Sequence, residues 1–437
     1  MSEFKKQVEG FATKAIHVEQ ETDSWSGKQV VQPIVTTTII RQEEPDSFLP
    51  HHYGRTSNTT RSLLEKCLAS LDNGNYCLAF SSGQAAAASV TSILASGDHV
   101  LCAEGIYSGA PDILKSLEDK GIRFESVDFT DLNNVRQGIK TNTRMIWMES
   151  ITNPLLNVLD IEGVCEIAHS HPNVVVVVDN TFLTSYYQRP LELGADIVLY
   201  SLSKYLSGHS DLIMGAIVLN DPEIYARLKY VQQTHGAISS PFDCYQAQRS
   251  LKTLAVRMKQ HGKSAYKIAQ FLSTHPAIEK VLHPALPSHP QHHLALKQSY
   301  GHSGIISFYV KGGYKNTRKF LLALRIIMLC GSLGGVESVA SIPAFWWADG
   351  KNLDQLATLG ITSNFVRLSV GLEDCNDLIR DLERALNLSQ TTGLTILRDG
   401  VSCVEYIYSR CMCAVKQRTS NEYSVLLQKV IRYGLFH

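Results

Sequence analysis

The chain has 437 residues, equal numbers of basic and acidic side chains (41 each) and a hydrophobic fraction of 44%. That length predicts two or three domains with sizeable cores, the balanced charge gives no field suited to nucleic acid or an anionic membrane, and the composition excludes a disordered chain. The opening MSEFKKQVEG lacks the apolar core of a secretory leader, and no stretch approaches the roughly 20 apolar residues of a membrane span. Ten scattered cysteines without a CxxC pair predict reduced thiols in a cytoplasmic protein. The lone CxC of Cys411 and Cys413 is too little for a metal site, so none is expected.

Residues 1–60 read as a polar, irregular arm around the β-prone run VVQPIVTTTII at 30–40, of a kind that wraps a neighbouring subunit. From 61 to 252, apolar strand-like runs alternate with helix-like ones: YCLAF (76–80), AAAASVTSIL (85–94), HVLCA (99–103), PDILKSLEDKG, RMIWME (144–149), IEGVCEIAHS, VVVVVD (174–179) and IVLYS (197–201). This alternation predicts a large, mostly parallel sheet covered on both faces. Residues 253–388 read as a smaller α+β domain. Its last helix starts near Asp374, a suitable N-cap, and carries Leu378, Leu382, Ala385 and Leu386 at helical spacing. Beyond 389, a divergent tail ends in an amphipathic stripe of Tyr423, Leu426, Leu427, Val430 and Ile431.

In open α/β sheets, ligands bind beyond the carboxyl ends of the strands, so the polar residues there carry the chemistry. Ser81-Ser82-Gly83-Gln84 follows YCLAF and opens an alanine-rich helix. Gly83 lets the backbone approach a ligand, and the helix N-terminus offers free N–H groups to a phosphate. Asp179-Asn180 ends an apolar strand, where a carboxylate needs a cationic partner such as a protonated pyridine nitrogen. Ser201-Leu202-Ser203-Lys204 sets two hydroxyls beside an amine that can form an imine when burial lowers its pKa. Asn153, before Pro154, can hydrogen-bond a ring hydroxyl. Each group alone has a plainer reading: a strand–turn–helix, an N-cap or metal ligand, a solvated lysine, an Asn-Pro turn. Together with a stacking aromatic, Tyr107, they form in chain order the electron-sink apparatus of pyridoxal 5'-phosphate (PLP) enzymes.

The motifs YGRTSNTTR (53–61), SSGQAA (81–86), ESITNP (149–154), VVVVDNTF (175–182), GADIVLYSLSKYLSGHSD (194–211), PSHPQHH (287–293), SLGGVES (332–338) and RLSVGLED (367–374) resemble those of the Cys/Met-metabolism PLP-dependent family, the trans-sulfuration enzymes. The resemblance covers about residues 8–388. It implies the aspartate aminotransferase-like, type I fold of PLP-dependent transferases. It makes Lys204 the Schiff-base lysine and proton shuttle, Asp179 the partner of the pyridine nitrogen, and Tyr107 the ring-stacking residue and a catalytic assistant in proton transfer. Gly83, Gln84, Ser201 and Ser203 bind phosphate, joined by Tyr53 and Arg55 from a neighbouring subunit. Arg367 binds the substrate α-carboxylate, Ser338 and Asn153 assist, and Glu337 lies near the distal end of the substrate.

The implied reaction is cleavage of the Cγ–S bond of L-cystathionine to cysteine, 2-oxobutanoate and ammonia, with hydrogen sulfide release from cysteine as a side activity. The implied assembly is a dimer of dimers. The alternatives are a γ-synthase joining an activated homoserine to cysteine, or a catalytically reduced paralogue with a binding role. The chain departs from the family pattern at four places: Asn58-Thr59-Thr60 replaces Asn-Pro-Thr, Ser203 replaces a threonine, Asp112 stands where γ-lyases carry arginine, and Phe345-Trp346-Trp347 follows Pro343-Ala344. Asp112 and the tryptophan pair bear on substrate preference.

Overall fold

The computed structural model describes residues 3–25, 27–45, 51–346 and 353–391. The expected tail stripe, the CxC pair and Trp347 lie outside those residues. Strands β1 (Tyr76–Phe80), β2 (His99–Ala103), β3 (Arg123–Val127), β4 (Thr143–Glu149), β5 (Val175–Asp179), β6 (Ile197–Ser201) and β7 (Gly215–Leu219) form one sheet in the order β1-β7-β6-β5-β4-β2-β3. All neighbours are parallel except those involving β7, which runs antiparallel to β1 and to β6. The central strands are apolar on both faces because helices cover both; Met145, Ile146, Val176, Val177, Ile197 and Val198 are fully buried. The RFESV strand, β3, is the polar, largely exposed edge, a composition that discourages further strand pairing.

The winding of the sheet reverses between β2 and β4, which are sequence-distant neighbours. The crevice beyond the strand ends at such a reversal is where this architecture places ligands.

A second sheet contains β8 (Ile278–Leu282), β9 (Ile305–Val310), β10 (Met328–Leu329), β11 (Val339–Ser341) and β12 (Phe365–Ser369), in the order β10-β11-β12-β9-β8. It is antiparallel except for the β10–β11 pair. The helix Cys375–Gln390 packs against the helix Gly313–Ala323. Its N-terminus is capped as expected, with Asp374 Oδ1 accepting the Asn376 N–H at 2.8 Å, and Leu378, Leu382, Ala385 and Leu386 are all buried.

The N-terminal arm differs from its expectation. It contains a helix, Phe11–His17, and the β-prone run at 30–40 forms no strand beyond an isolated bridge between Ile39 and Tyr53. The physical reason is local. Thr60 Oγ1 accepts the Val35 N–H at 2.9 Å and donates to Pro33 O, while Asn58 Nδ2 donates to Val35 O at 2.8 Å. Side chains at the start of the Thr59–Leu71 helix thus satisfy backbone groups that a neighbouring strand would otherwise have paired.

Candidate active site

The loop after β1 enters the helix Gly83–Thr91, whose N-cap is Ser82: its Oγ accepts the Ala85 N–H at 3.0 Å. A Cβ on Gly83 would stand 3.1 Å from the Ser201 Cβ, so glycine is what lets this helix start lie against the end of β6. The helix start at Gly83, set against Ser201, forms a cradle that offers free backbone N–H groups to a phosphate. Ser203 is placed differently: its Oγ donates to Met214 O at 3.3 Å and accepts the Met214 N–H at 3.0 Å. Gln84 Nε2 donates to Gly109 O at 2.7 Å, which ties the cradle helix to the Tyr107 loop. Tyr107 itself is half exposed.

Asp179 ends β5 in register with Glu149 at the end of β4. Its Oδ1 accepts the Thr181 N–H at 2.9 Å. Burial drives its carboxyl up to about 6, against the opposing hydrogen bonds from Thr181. Among the described residues no ion pair neutralises it. A half-buried carboxylate of this kind, beside a phosphate cradle, fits a ligand that brings its own cation.

Lys204 lies past the end of β6 and its Nζ donates to Ser332 Oγ at 2.7 Å. Burial first, and the Arg367 guanidinium second, hold its ammonium below the ordinary lysine range, which raises the neutral fraction able to act as nucleophile or base. Arg367, on β12, donates through Nη1 to Asn153 Oδ1 at 2.9 Å and through Nη2 to Ser332 O at 2.8 Å. Lys204, Ser332, Arg367 and Asn153 therefore form one bonded group, although they come from four separate segments.

Ser338 is fully buried, with its Oγ donating to Glu373 Oε2 and accepting the Gly371 N–H, both at 2.8 Å. It ties the loop before β11 to the end of β12. Glu337 is exposed on that loop. Tyr53 and Arg55 lie on the arm: the Arg55 guanidinium sits 5.4 Å over the Tyr53 ring, and Arg55 Nη1 donates to Gln233 O at 2.5 Å. Their segment is held by buried Arg61, which donates to Gly54 O and Arg55 O at 3.1 and 3.2 Å. Among the described residues, no hydrogen bond joins Tyr53 or Arg55 to the cradle of this same chain.

Two polar residues of the site escape the sequence reading. Ser332 lies in the SLGGVES motif, but nothing in its residue type separates it from Ser338. Glu149 had a legible signal, since it ends an apolar strand just as Asp179 does.

A large mostly parallel sheet with a phosphate cradle, an unneutralised strand-end carboxylate and a partly desolvated lysine defines a class, the PLP-dependent enzymes. The model of the family described as "Cys/Met metabolism PLP-dependent enzyme" matches residues 12–387. The chain belongs to that family, and its cofactor is pyridoxal phosphate. It is 42% identical over 391 residues to "Cystathionine gamma-lyase" of Sus scrofa, covering 89% of this chain and 96% of that one. It is 42% identical over 384 residues to the Homo sapiens protein of the same name, covering 88% and 95%. The solved cystathionine gamma-lyase from Lactobacillus plantarum, complexed with L-serine, superposes with a TM-score of 0.83 at 37% identity, covering 87% of this chain and 99% of that one. The metB structure from Corynebacterium glutamicum gives 0.82 at 39% identity, covering 87% and 98%.

Proposed function

We propose that this chain is a PLP-dependent carbon–sulfur lyase that cleaves L-cystathionine to cysteine, 2-oxobutanoate and ammonia. The relatives of that name support the reaction. The observation that carries it is the bonded Lys204–Ser332–Arg367–Asn153 group, which sets a base and an α-carboxylate site side by side.

When bound, PLP supplies an electron sink for bonds broken at the substrate α-carbon. Gly83, the N–H groups behind it and Ser201 would hold its phosphate, Asp179 would hold its ring nitrogen as a cation, and Tyr107 would cover its ring. Arg367, oriented by Asn153 and the Ser332 carbonyl, binds the substrate carboxylate through its planar fork. Lys204, tethered by the Ser332 hydroxyl, takes the proton from the substrate α-carbon. Burial and the nearby Arg367 guanidinium lower its pKa, which favours the neutral amine that this step needs.

The same proposal divides the chain into a cofactor-binding domain at 61–252 and a C-terminal domain at 253–388. It places Tyr53 and Arg55 in the site of a neighbouring copy within a dimer of dimers. Their lack of bonds to this chain's own cradle supports that placement. The seven described cysteines are all unpaired, which supports action in the reducing cytoplasm; a role in cysteine synthesis follows from the proposed product.

The test is product analysis after mixing the purified protein with PLP and L-cystathionine. Release of 2-oxobutanoate with equimolar ammonia is the expected result. Product formed only from an activated homoserine with cysteine would overturn the lyase reading in favour of a synthase.

A further inference from the structure

Glu149 is 7% exposed, and both of its carboxylate oxygens are used. Oε1 accepts the backbone N–H of Tyr107 at 2.9 Å, and Oε2 accepts the backbone N–H of Asn153 at 2.8 Å. The contact to Asn153 is a local one, four residues along the chain. The contact to Tyr107 spans 42 residues and crosses from β4 to the loop after β2, the pair of strands where the winding of the sheet reverses. We propose that Glu149 is a positioning residue that fixes the Tyr107 loop and the Asn153 turn relative to each other, so that the ring-covering tyrosine and the carboxylate-binding Asn153–Arg367 pair are set as one preformed surface. This rests on the roles given to Tyr107, Asn153 and Arg367 above.

The residue type is what makes the inference specific. Two N–H donors converge on one side chain, and only a carboxylate offers an acceptor to each. Glutamine of the same shape would present an NH2 group to one of them, donor against donor. Aspartate keeps the charge but is one methylene too short to span both. Glu149 also stands in register with Asp179 on the adjacent strand. Two carboxylates at neighbouring strand ends, one of them buried, oppose stability, because each raises the cost of ionising the other. From Glu149 the bonded path runs through Asn153, Arg367 and Ser332 to Lys204. The aromatic cover and the base are thus the two ends of one hydrogen-bonded chain, and Glu149 is its only link across the β2–β4 crevice among the described residues.

The test uses full-length protein carrying Glu149→Gln and, separately, Glu149→Asp. Amide hydrogen exchange on the cofactor-free protein reads positioning directly. Peptides containing Tyr107 and Asn153 should exchange at least roughly tenfold faster in Glu149→Gln, the kinetic equivalent of about 1.4 kcal/mol, while peptides from β1 and β6 keep wild-type rates. On the PLP-loaded enzyme, KM for the amino-acid substrate should rise by more than kcat falls, because the carboxylate site is displaced. Glu149→Asp should resemble Glu149→Gln. Wild-type exchange at both segments, or wild-type kinetics in Glu149→Asp, would overturn the proposal, the latter showing that charge and not reach matters. If Glu149→Gln does not fold, Glu149→Asp alone decides. The exchange result stands apart from the reaction assignment: a Lys204→Ala protein that retained lyase activity would sink that assignment and leave the role of Glu149 in setting the loops intact.

Discussion

The Lys204 ammonium is tethered by the Ser332 hydroxyl at 2.7 Å, and Ser332 holds that position with a left-handed backbone, φ 75°. Such a conformation disfavours a side-chain-bearing residue by about 1–2 kcal/mol. Backbone strain kept at a site by surrounding bonds points to use. Ser332→Ala and Ser332→Gly both remove the tether, and each should lower kcat/KM roughly tenfold, matching a hydrogen bond to a charged group of about 1.5 kcal/mol. They should differ in stability, with glycine the more stable of the two by about 1 kcal/mol. Urea unfolding of the two variants, alongside their kinetics, checks both halves.

Gly109 is packed between the Tyr107 ring and the Gln84 side chain. A Cβ at this position would lie 2.5 Å from the Tyr107 ring and 2.5 Å from the Gln84 amide oxygen. Gly109→Ala must therefore displace the ring, break the Gln84 bond to the Gly109 carbonyl, or do both. The expected outcome is weaker PLP retention on gel filtration with little loss of global stability. Retention equal to wild type would mean the loop accommodates a methyl without moving Tyr107.

Histidines buried behind the site make stability depend on pH. Burial pushes His261 and His289 down to about 4 and His283 well below its ordinary value. Above pH 6.5 these rings are neutral whether the chain is folded or not, so they exact no penalty. Below it, the unfolded chain binds protons that the folded chain refuses, and stability falls between about 6.5 and 4 by up to 1.4 kcal/mol per pH unit for each ring. His261→Gln should flatten this slope by one ring's share, since a glutamine amide can still donate to the Val370 carbonyl that lies 2.8 Å from His261 Nδ1. Denaturation midpoints of wild type and variant at pH 7, 6 and 5 measure it, and identical slopes would show that His261 does not contribute.

Asp112 is exposed in the first turn of the helix Gly109–Ser116 and forms no ion pair among the described residues. Its acid favours that helix end, so replacing it with a base forfeits about 0.3–1 kcal/mol of dipole interaction. Against that, Asp112→Arg should raise kcat/KM for cystathionine, whose distal end carries a carboxylate, more than for homoserine, which lacks one. Parallel kinetics on the two substrates decide it. Equal changes would mean that residue 112 does not sense the distal carboxylate.

The strands legible in the sequence were those buried on both faces. YCLAF, HVLCA and IVLYS coincide with β1, β2 and β6 because uninterrupted apolar runs of that length have no other stable use beside helical neighbours. β3 was not legible, because at the sheet edge its RFESV residues face water and carry no apolar run. The β-prone segment at 30–40 misled for the converse reason: propensity without a partner strand does not make a sheet, and Thr60 and Asn58 supplied its hydrogen bonds instead. In the site, Asp179, Lys204 and Gly83 stood out because charge or glycine follows an apolar strand. Ser332 did not, since its role depends on β10 and β12 bringing it to a lysine 128 residues earlier, a relationship that local pattern does not encode.

Among the described strands β1 pairs only with β7, and the two are separated by nearly the whole of the large sheet in sequence. During synthesis, β1 leaves the ribosome with an apolar edge that nothing yet made can cover. At about 5–20 residues per second, its partner follows on the order of ten seconds later. Through that interval Cys77, Leu78, Ala79 and Phe80 present an unpaired strand of the kind that joins other chains. The strand that opens the phosphate cradle thus waits longest for its sheet partner, and substitutions that weaken β7 should first appear as aggregation during synthesis, before any loss of catalysis in the molecules that finish folding.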